Sequence, residues 1–99
     1  MTDSETGRKV RIHGRVQGVW YRGWTVRQAT ALGLRGWVRN RSDGTVEALF
    51  AGPSADVVAM IEACRAGPPA ARVDTVATEP IDAEDCTALA PSFEQRATE

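Results

Sequence analysis

The order of hydrophobic periodicities along the chain restricts its fold more than any other feature of the sequence. Residues 9–14 alternate, with Val10 and Ile12 on one side and Arg11 and His13 on the other, which predicts a half-buried strand. Weaker or shorter strand patterns follow at residues 36–40, 45–51 and 72–78, and residues 92–98 are compatible with a short edge strand around Phe93.

Two other segments carry apolar residues at helical spacing. The first stripe consists of Tyr21, Thr25, Ala29 and Leu32, and the second of Val57, Met60, Ile61 and Cys64. The first predicts a helix over residues 22–32, with Gly33 placed to end it. The second predicts a helix that opens at Gly52-Pro53, with proline at its first position, and stops before the glycine and prolines of residues 67–69.

The resulting order is β-α-β-β-α-β, with residues 41–44 as the turn of a central hairpin. Two right-handed crossovers around such a hairpin give the ferredoxin-like split βαβ sandwich of the α+β class. We therefore expect a mainly antiparallel sheet with both helices on one face.

The predicted elements occupy residues 8–99, which we interpret as a single domain, and residues 1–7 are predicted to be a disordered lead. The sequence contains no apolar run long enough to span a membrane and no apolar stretch typical of a signal peptide. We expect a cytoplasmic protein in which Cys64 and Cys86 are free thiols. On the apolar face of its helix, Cys64 is predicted to be a core residue rather than a nucleophile.

The segment GRVQGVWYR, residues 14–22, joins the first predicted strand to the first predicted helix and is the candidate functional site. Backbone N–H groups of a glycine-bracketed loop can converge on an anion, and the first turn of a helix adds unpaired N–H donors. Arg22 adds a full charge and a planar fork of donors that matches a phosphate. A plain strand-to-helix turn with an incidental arginine is the alternative that these residues leave open.

Neighbouring side chains suggest how this loop is held. Val16 and Val19 are placed to anchor it in the core, and the amide of Gln17 to brace its backbone. Trp20 and Trp24 are interpreted as core or rim residues, with a wall of the anion site as the alternative. His13, the only histidine, is predicted to be exposed on the polar strand face, without the orienting partner that a catalytic base needs.

Charge is distributed unevenly between the two halves of the chain. Residues 1–50 contain nine Lys or Arg and four Asp or Glu, whereas residues 51–99 contain three and nine. The first half therefore offers a positive region to an anionic ligand. Because the arginines are spread along the chain, they favour a small anion over a nucleic-acid track.

Two long segments resemble the acylphosphatase family when they are taken together. In GRVQGVWYR the matching residues are Gly14, Val16, Gln17, Gly18, Val19 and Arg22, with Tyr21 where the family usually has Phe. In GWVRNRSDGTVEALFAG they are Gly36, Trp37, Asn40, Gly44, Val46 and Gly52, with Arg41 where many relatives have Thr. The resemblance covers about residues 8–79, and two motifs in order at the expected separation are a specific signal.

The resemblance implies an enzyme that hydrolyses acyl phosphates to a carboxylate and inorganic phosphate, without a metal or other cofactor. It implies that Arg22 binds the substrate phosphate and that Asn40 orients the attacking water. The remaining residues of the predicted phosphate loop are Arg15, Val16, Gln17, Gly18, Val19, Trp20 and Tyr21.

This chemistry agrees with the residue types present. The leaving carboxylate has a pKa of about 4 to 5, so it departs without a general acid. The sequence shows no paired carboxylates, no Ser/His/Asp arrangement and no metal-ligand spacing. What remains is positioning and charge stabilisation, which carry most of phosphoryl transfer.

A non-catalytic ferredoxin-like module that binds an anion or a partner is the second hypothesis, since similar domains occur within larger hydrogenase-maturation proteins. RNA binding is disfavoured because the strands show no evident aromatic pair for base stacking. We expect a monomer that binds an acyl phosphate, with inorganic phosphate or sulfate as product or inhibitor, and that binds neither nucleic acid nor membrane.

Overall fold

The computed structural model describes residues 5–82 and 89–99, arranged as five strands and two helices. In chain order the elements are β1 (Glu5–Arg15), α1 (Tyr21–Ala31), β2 (Arg35–Asn40), β3 (Val46–Pro53), α2 (Ser54–Ala66), β4 (Arg72–Pro80) and β5 (Phe93–Gln95).

The strands form one sheet in the order β4-β1-β3-β2-β5. Every pairing is antiparallel except that of β5, which runs parallel to β2 at the edge of the sheet. The predicted α+β, ferredoxin-like architecture is confirmed, including the short edge strand at Phe93.

Both helices contribute to a single core with one face of the sheet. The strand residues of this core include Val10, Ile12, Val38, Val46, Ala48 and Phe50, and the helices add Tyr21, Ala29, Val57, Met60 and Cys64. All of these side chains are at most 1% exposed. Both predicted helical stripes therefore face the core, which places α1 and α2 on the same side of the sheet.

The limits of β1 and β3 differ from the prediction. β1 begins at Glu5, because Glu5 to Gly7 pair with Pro53 to Ala51 of β3. The expectation of a disordered lead over residues 1–7 is thus wrong for residues 5–7, while residues 1–4 lie outside the described residues. The same pairing keeps Gly52 and Pro53 in β3, so Pro53 is the N-cap of α2 and the helix starts at Ser54. Cys86 also lies outside the described residues.

The open face of the sheet carries a charged cluster centred on Glu47, whose side chain is only 2% exposed. Its carboxylate contacts four cationic side chains, at 2.8 Å from Arg39, 3.2 Å from Arg11, 3.4 Å from Lys9 and 3.6 Å from Arg41. Burial alone would raise the pKa of Glu47. Hydrogen bonds from Arg39 and Arg11, with the charges of Lys9 and Arg39, outweigh burial and hold that pKa below its ordinary value of 4.5.

We expect Glu47→Ala to lower the free energy of unfolding by about 3 kcal/mol, because removing this buried carboxylate leaves four neighbouring cationic side chains without the counter-ion that they share. The control is Glu62→Ala, which removes an exposed carboxylate from its pair with Arg65 on α2 and should cost less than about 1 kcal/mol. Since the folded-state pKa of Glu47 is lowered, its contribution is complete above pH 4.5 and is lost as the pH falls through the folded value. Urea unfolding of the wild type and both variants, at pH 7 and in acid, measures these free energies. Equal losses of unfolding free energy in Glu47→Ala and Glu62→Ala at pH 7 would contradict the prediction.

Trp37 lies on the same open face and is covered by two guanidinium groups. Those of Arg39 and Arg96 lie 4.8 Å and 5.0 Å from its ring centre, and Trp37 is 8% exposed. This ring is therefore not presented for stacking on a base.

His13 is exposed, as predicted. No helix among the described residues is long and apolar enough to cross a membrane.

Candidate active site

The loop that joins β1 to α1 follows an irregularity at the end of β1, where the register with β4 shifts between His13 and Gly14. Val16 is 1% exposed and Val19 is partly buried against the core, so both valines anchor the loop as predicted. Gly18 and Trp20 take left-handed conformations, with φ of 75° and 66°. Loops with such residues turn their backbone N–H groups toward a common concave surface, which suits an anion.

Helix α1 begins at Tyr21 without a capping side chain. Trp20 is its N-cap residue, no side chain accepts a hydrogen bond there, and the first turn contains no acidic residue. The first N–H groups of a helix have no partner within the helix, and they carry its partial positive charge. Arg22, in this first turn, adds a full positive charge beside them.

Tyr21 fastens the start of α1 to α2. Its hydroxyl donates a hydrogen bond of 2.6 Å to the backbone oxygen of Cys64, and its side chain is 1% exposed. Burial raises the pKa of Tyr21, so the phenol stays a donor. Burial likewise raises the pKa of the Cys64 thiol to about 12. Cys64 is therefore a protonated core residue, as its place in the helical stripe predicted.

Asn40 ends β2, the strand that follows α1 in the chain. Residue Asn40 is 9% exposed, and its backbone oxygen accepts a hydrogen bond of 3.1 Å from the Glu99 N–H. Within residues 5–82 and 89–99, no hydrogen bond involves its side-chain amide. A nearly buried amide whose donor and acceptor are both uncommitted can hold a small polar molecule.

Gln17 connects the loop to the hairpin that follows Asn40. Its Nε2 donates to the backbone oxygens of Arg41 and Thr45, at 2.8 Å and 2.9 Å. The predicted bracing role is thus exerted on the β2–β3 turn rather than on the loop's own backbone. Asp43 closes that turn by accepting hydrogen bonds from the Thr45 hydroxyl and N–H, which lower the pKa of Asp43.

A cavity of about 240 Å³ lies where these elements meet. Its described lining consists of Val16, Gly18, Trp20, Tyr21, Arg22, Gly23, Asn40 and Gln95. The cavity therefore brings together Arg22 and Asn40, which come from different elements. Among the described residues, no side chain forms a hydrogen bond or ion pair with the Arg22 guanidinium.

Three of the predicted loop residues are not part of the described lining of this cavity. Arg15 ends β1 opposite Arg72, Gln17 points to the hairpin, and Val19 packs on the core. Trp24 is half-buried against the core, as the interpretation of core or rim packing expected. Trp20 is 58% exposed and lines the cavity, so it is not a core residue and takes the alternative position, in the wall of the cavity.

Two lining residues were not anticipated. Gln95 belongs to β5, far from the motifs in sequence, and only its place in a short strand pattern hinted at it. Gly23 lies within the first turn of α1, and a glycine inside a predicted helix, where it is unfavourable, is the sequence signal that could have drawn attention to it.

Comparison with known proteins identifies the family. The acylphosphatase family model matches residues 8–94. The chain belongs to the acylphosphatase family. It is 63% identical over 87 residues to an acylphosphatase of Rhodospirillum rubrum, covering 88% of this chain and 91% of that one. It is 53% identical to an acylphosphatase of Rhizorhabdus wittichii, covering 92% and 88%. The structure of an acylphosphatase from Coxiella burnetii superposes with a TM-score of 0.85 at 37% identity, covering 93% of each chain.

As an acylphosphatase, the chain is an enzyme that hydrolyses acyl phosphates, which confirms the family and the activity predicted from its two motifs. In the part of the chain that the structure describes, no three His, Cys, Asp or Glu side chains are grouped to hold a metal ion. The positive charge at the cavity comes from Arg22 and the start of α1.

Proposed function

We propose that the chain hydrolyses the carboxyl–phosphate bond by holding the phosphoryl group with Arg22 and the backbone N–H groups of residues 15–22, while Asn40 orients the attacking water. The observation that carries this proposal is the shared cavity of Arg22 and Asn40, in which neither side chain has a hydrogen-bond partner among the described residues. An uncommitted cation and an uncommitted amide provide complementary donors and acceptors for a phosphoryl group and a water molecule.

The roles of the two residues follow from their chemistry. The guanidinium offers paired N–H donors to two phosphoryl oxygens, and the start of α1 adds donors and partial positive charge. The Asn40 amide can accept from and donate to water without bringing a negative charge near the dianion. Gln17 lies in the loop that leads to Arg22, and its side-chain amide binds the hairpin that follows Asn40. This contact holds Arg22 and Asn40 at a fixed spacing.

The reaction then requires no further catalytic group. Water attacks phosphorus in line with the carboxylate oxygen, the P–O bond to that oxygen breaks, and the carboxylate leaves with the electron pair. A phosphoryl oxygen accepts the proton of the attacking water, so the products are a carboxylate and inorganic phosphate. Because the leaving acid has a pKa of about 4 to 5, it leaves unprotonated at neutral pH.

Hydrolysis of benzoyl phosphate with and without EDTA tests the proposal. We expect the rate to be unchanged by EDTA, since Arg22 supplies the charge that a metal ion would otherwise provide. We also expect inorganic phosphate to inhibit competitively, because the cavity is proposed to bind the phosphoryl end of the substrate. Activity that EDTA abolishes and Mg²⁺ or Zn²⁺ restores would contradict the metal-independent mechanism.

A further inference from the structure

Trp20 has a position that phosphate binding does not explain. It lines the cavity beside Arg22, yet its side chain is 58% exposed. Among the described residues, only Val58 is a comparably exposed large hydrophobic side chain. A large exposed apolar group at the edge of a polar cavity is a common mark of a binding surface.

The local backbone holds this ring outward. Trp20 has φ of 66° and ψ of 24°, and it is the only non-glycine residue of the described chain with positive φ. Such a conformation is unfavourable for a residue with a bulky side chain, and it tends to persist where the site uses it.

The indole ring of Trp20 also packs on the backbone of α1 at a position where that helix has no side chain. A Cβ atom built at Gly23 would lie 2.0 Å from the indole Nε1, so the ring lies directly over the bare backbone of Gly23. The Arg27 guanidinium carbon lies 5.9 Å from the ring centre. A side chain at Gly23 would push the ring away, so the glycine allows the indole to stay at the cavity.

The chemistry of the substrate indicates which part of an acyl phosphate would contact the Trp20 ring. An acyl phosphate has one charged end, which the proposed function places at Arg22, and one uncharged end that must extend out of the cavity. The leaving oxygen points away from the attacking water at Asn40, so the acyl group extends along the remaining wall. Of the described residues that line the cavity, Trp20 offers the large exposed apolar side chain, whereas Arg22, Asn40 and Gln95 are polar.

We propose that Trp20 binds the acyl group and makes the enzyme select acyl phosphates with aromatic or extended apolar acyl groups over the acetyl group. This inference rests on the proposed placement of the phosphoryl group at Arg22. An aromatic contact of about 1.4 kcal/mol corresponds to a tenfold preference.

The test compares kcat/KM for benzoyl phosphate and acetyl phosphate in Trp20→Ala and Trp20→Phe. We expect the alanine variant to lose about tenfold in kcat/KM for benzoyl phosphate and little for acetyl phosphate, and phenylalanine to restore most of the preference. Inhibition by inorganic phosphate should be unchanged in both variants, since Ala and Phe keep the backbone N–H of residue 20 and phosphate has no acyl group for the side chain to contact. Val58→Ala, which removes the other large hydrophobic side chain that is exposed among the described residues, should leave the preference unchanged.

A benzoyl-to-acetyl ratio that stays at the wild-type value in Trp20→Ala would overturn the inference. So would an equal loss for both substrates accompanied by weaker phosphate inhibition, because Trp20 would then act on the phosphoryl end. Failure of the proposed function has a different signature: the wild-type enzyme would show no competitive inhibition by phosphate, whatever its preference between the two substrates.

Discussion

Arg22→Ala should reduce kcat/KM for benzoyl phosphate by about 10³-fold or more, the scale at which an arginine acts on a transferring phosphoryl group. Inhibition by inorganic phosphate should weaken in parallel. Arg22→Lys should recover only a small part of the loss, because a point charge does not reproduce the paired donors of the guanidinium. Steady-state kinetics with both variants, including phosphate inhibition, measure these effects.

A loss of activity in Arg22→Ala can be distinguished from a loss of folding. The Arg22 guanidinium has no hydrogen-bond or ion-pair partner among the described residues, so its removal leaves no protein group unpaired. The melting temperature of Arg22→Ala should therefore stay near that of the wild type. Arg65→Ala removes the same charge from the exposed side of α2 and should keep full activity. A lysine variant with kcat/KM near the wild-type value would show that the donor geometry at residue 22 is unimportant.

Asn40→Ala should lower kcat by about 10²- to 10³-fold, by analogy with the loss of one transition-state hydrogen-bond donor. KM and phosphate inhibition should change little, since the amide is proposed to hold water rather than substrate. Because the Asn40 side chain forms no hydrogen bond within the described residues, the substitution should not unfold the protein. Kinetics and thermal unfolding of the same preparation test both statements.

Asn40→Asp distinguishes an amide that orients water from a general base. The carboxylate has nearly the shape of the amide, but it would share the cavity with Arg22 and face the substrate dianion. Two unit charges at ~4 Å and an effective dielectric constant of ~20 interact by about 4 kcal/mol. We therefore expect Asp to be at least as harmful as Ala at pH 7, and to weaken phosphate inhibition more.

Acid should partly relieve the aspartate defect, because protonation removes the repulsive charge. Profiles of kcat, KM and phosphate inhibition between about pH 4 and pH 7 test this, because a carboxyl group ordinarily titrates near the lower end of that range. If Asp outperforms Ala at neutral pH, and its activity rises as the carboxylate ionises, Asn40 occupies a position that favours a base. Proton transfer to the substrate would then be the wrong mechanism.

Local patterns were sufficient to predict the order of the elements and most of the core. The alternation of Val10 and Ile12 and the stripe that contains Tyr21 and Ala29 depend only on which side chains lie on one face of an element. Turn chemistry was equally local, since Asp43 bonds to Thr45, its near neighbour in the chain. These features need no knowledge of which strands pair.

Features that depend on distant segments were not predictable. Gln17 bonds to the hairpin after Asn40, and Gln95 reaches the cavity because β5 pairs with β2. The ordering of Glu5 to Gly7 likewise depends on pairing with the end of β3. The outward position of Trp20 follows from a left-handed backbone and a glycine one turn later, which no hydrophobic periodicity records.

The position of β1 between β3 and β4 also has a consequence for how the chain folds. Ile12 pairs with Val46 on one side and Val76 on the other, so β1 must find two partner strands that are far away in sequence. Long loops have to close before these ladders form, which slows folding relative to a helical bundle of similar length. The loop of Arg22 follows β1, and the hairpin of Asn40 leads into β3, so the pairing of β1 with β3 also brings these two segments together. Recovery of catalysis and completion of the sheet are therefore expected to be a single kinetic event.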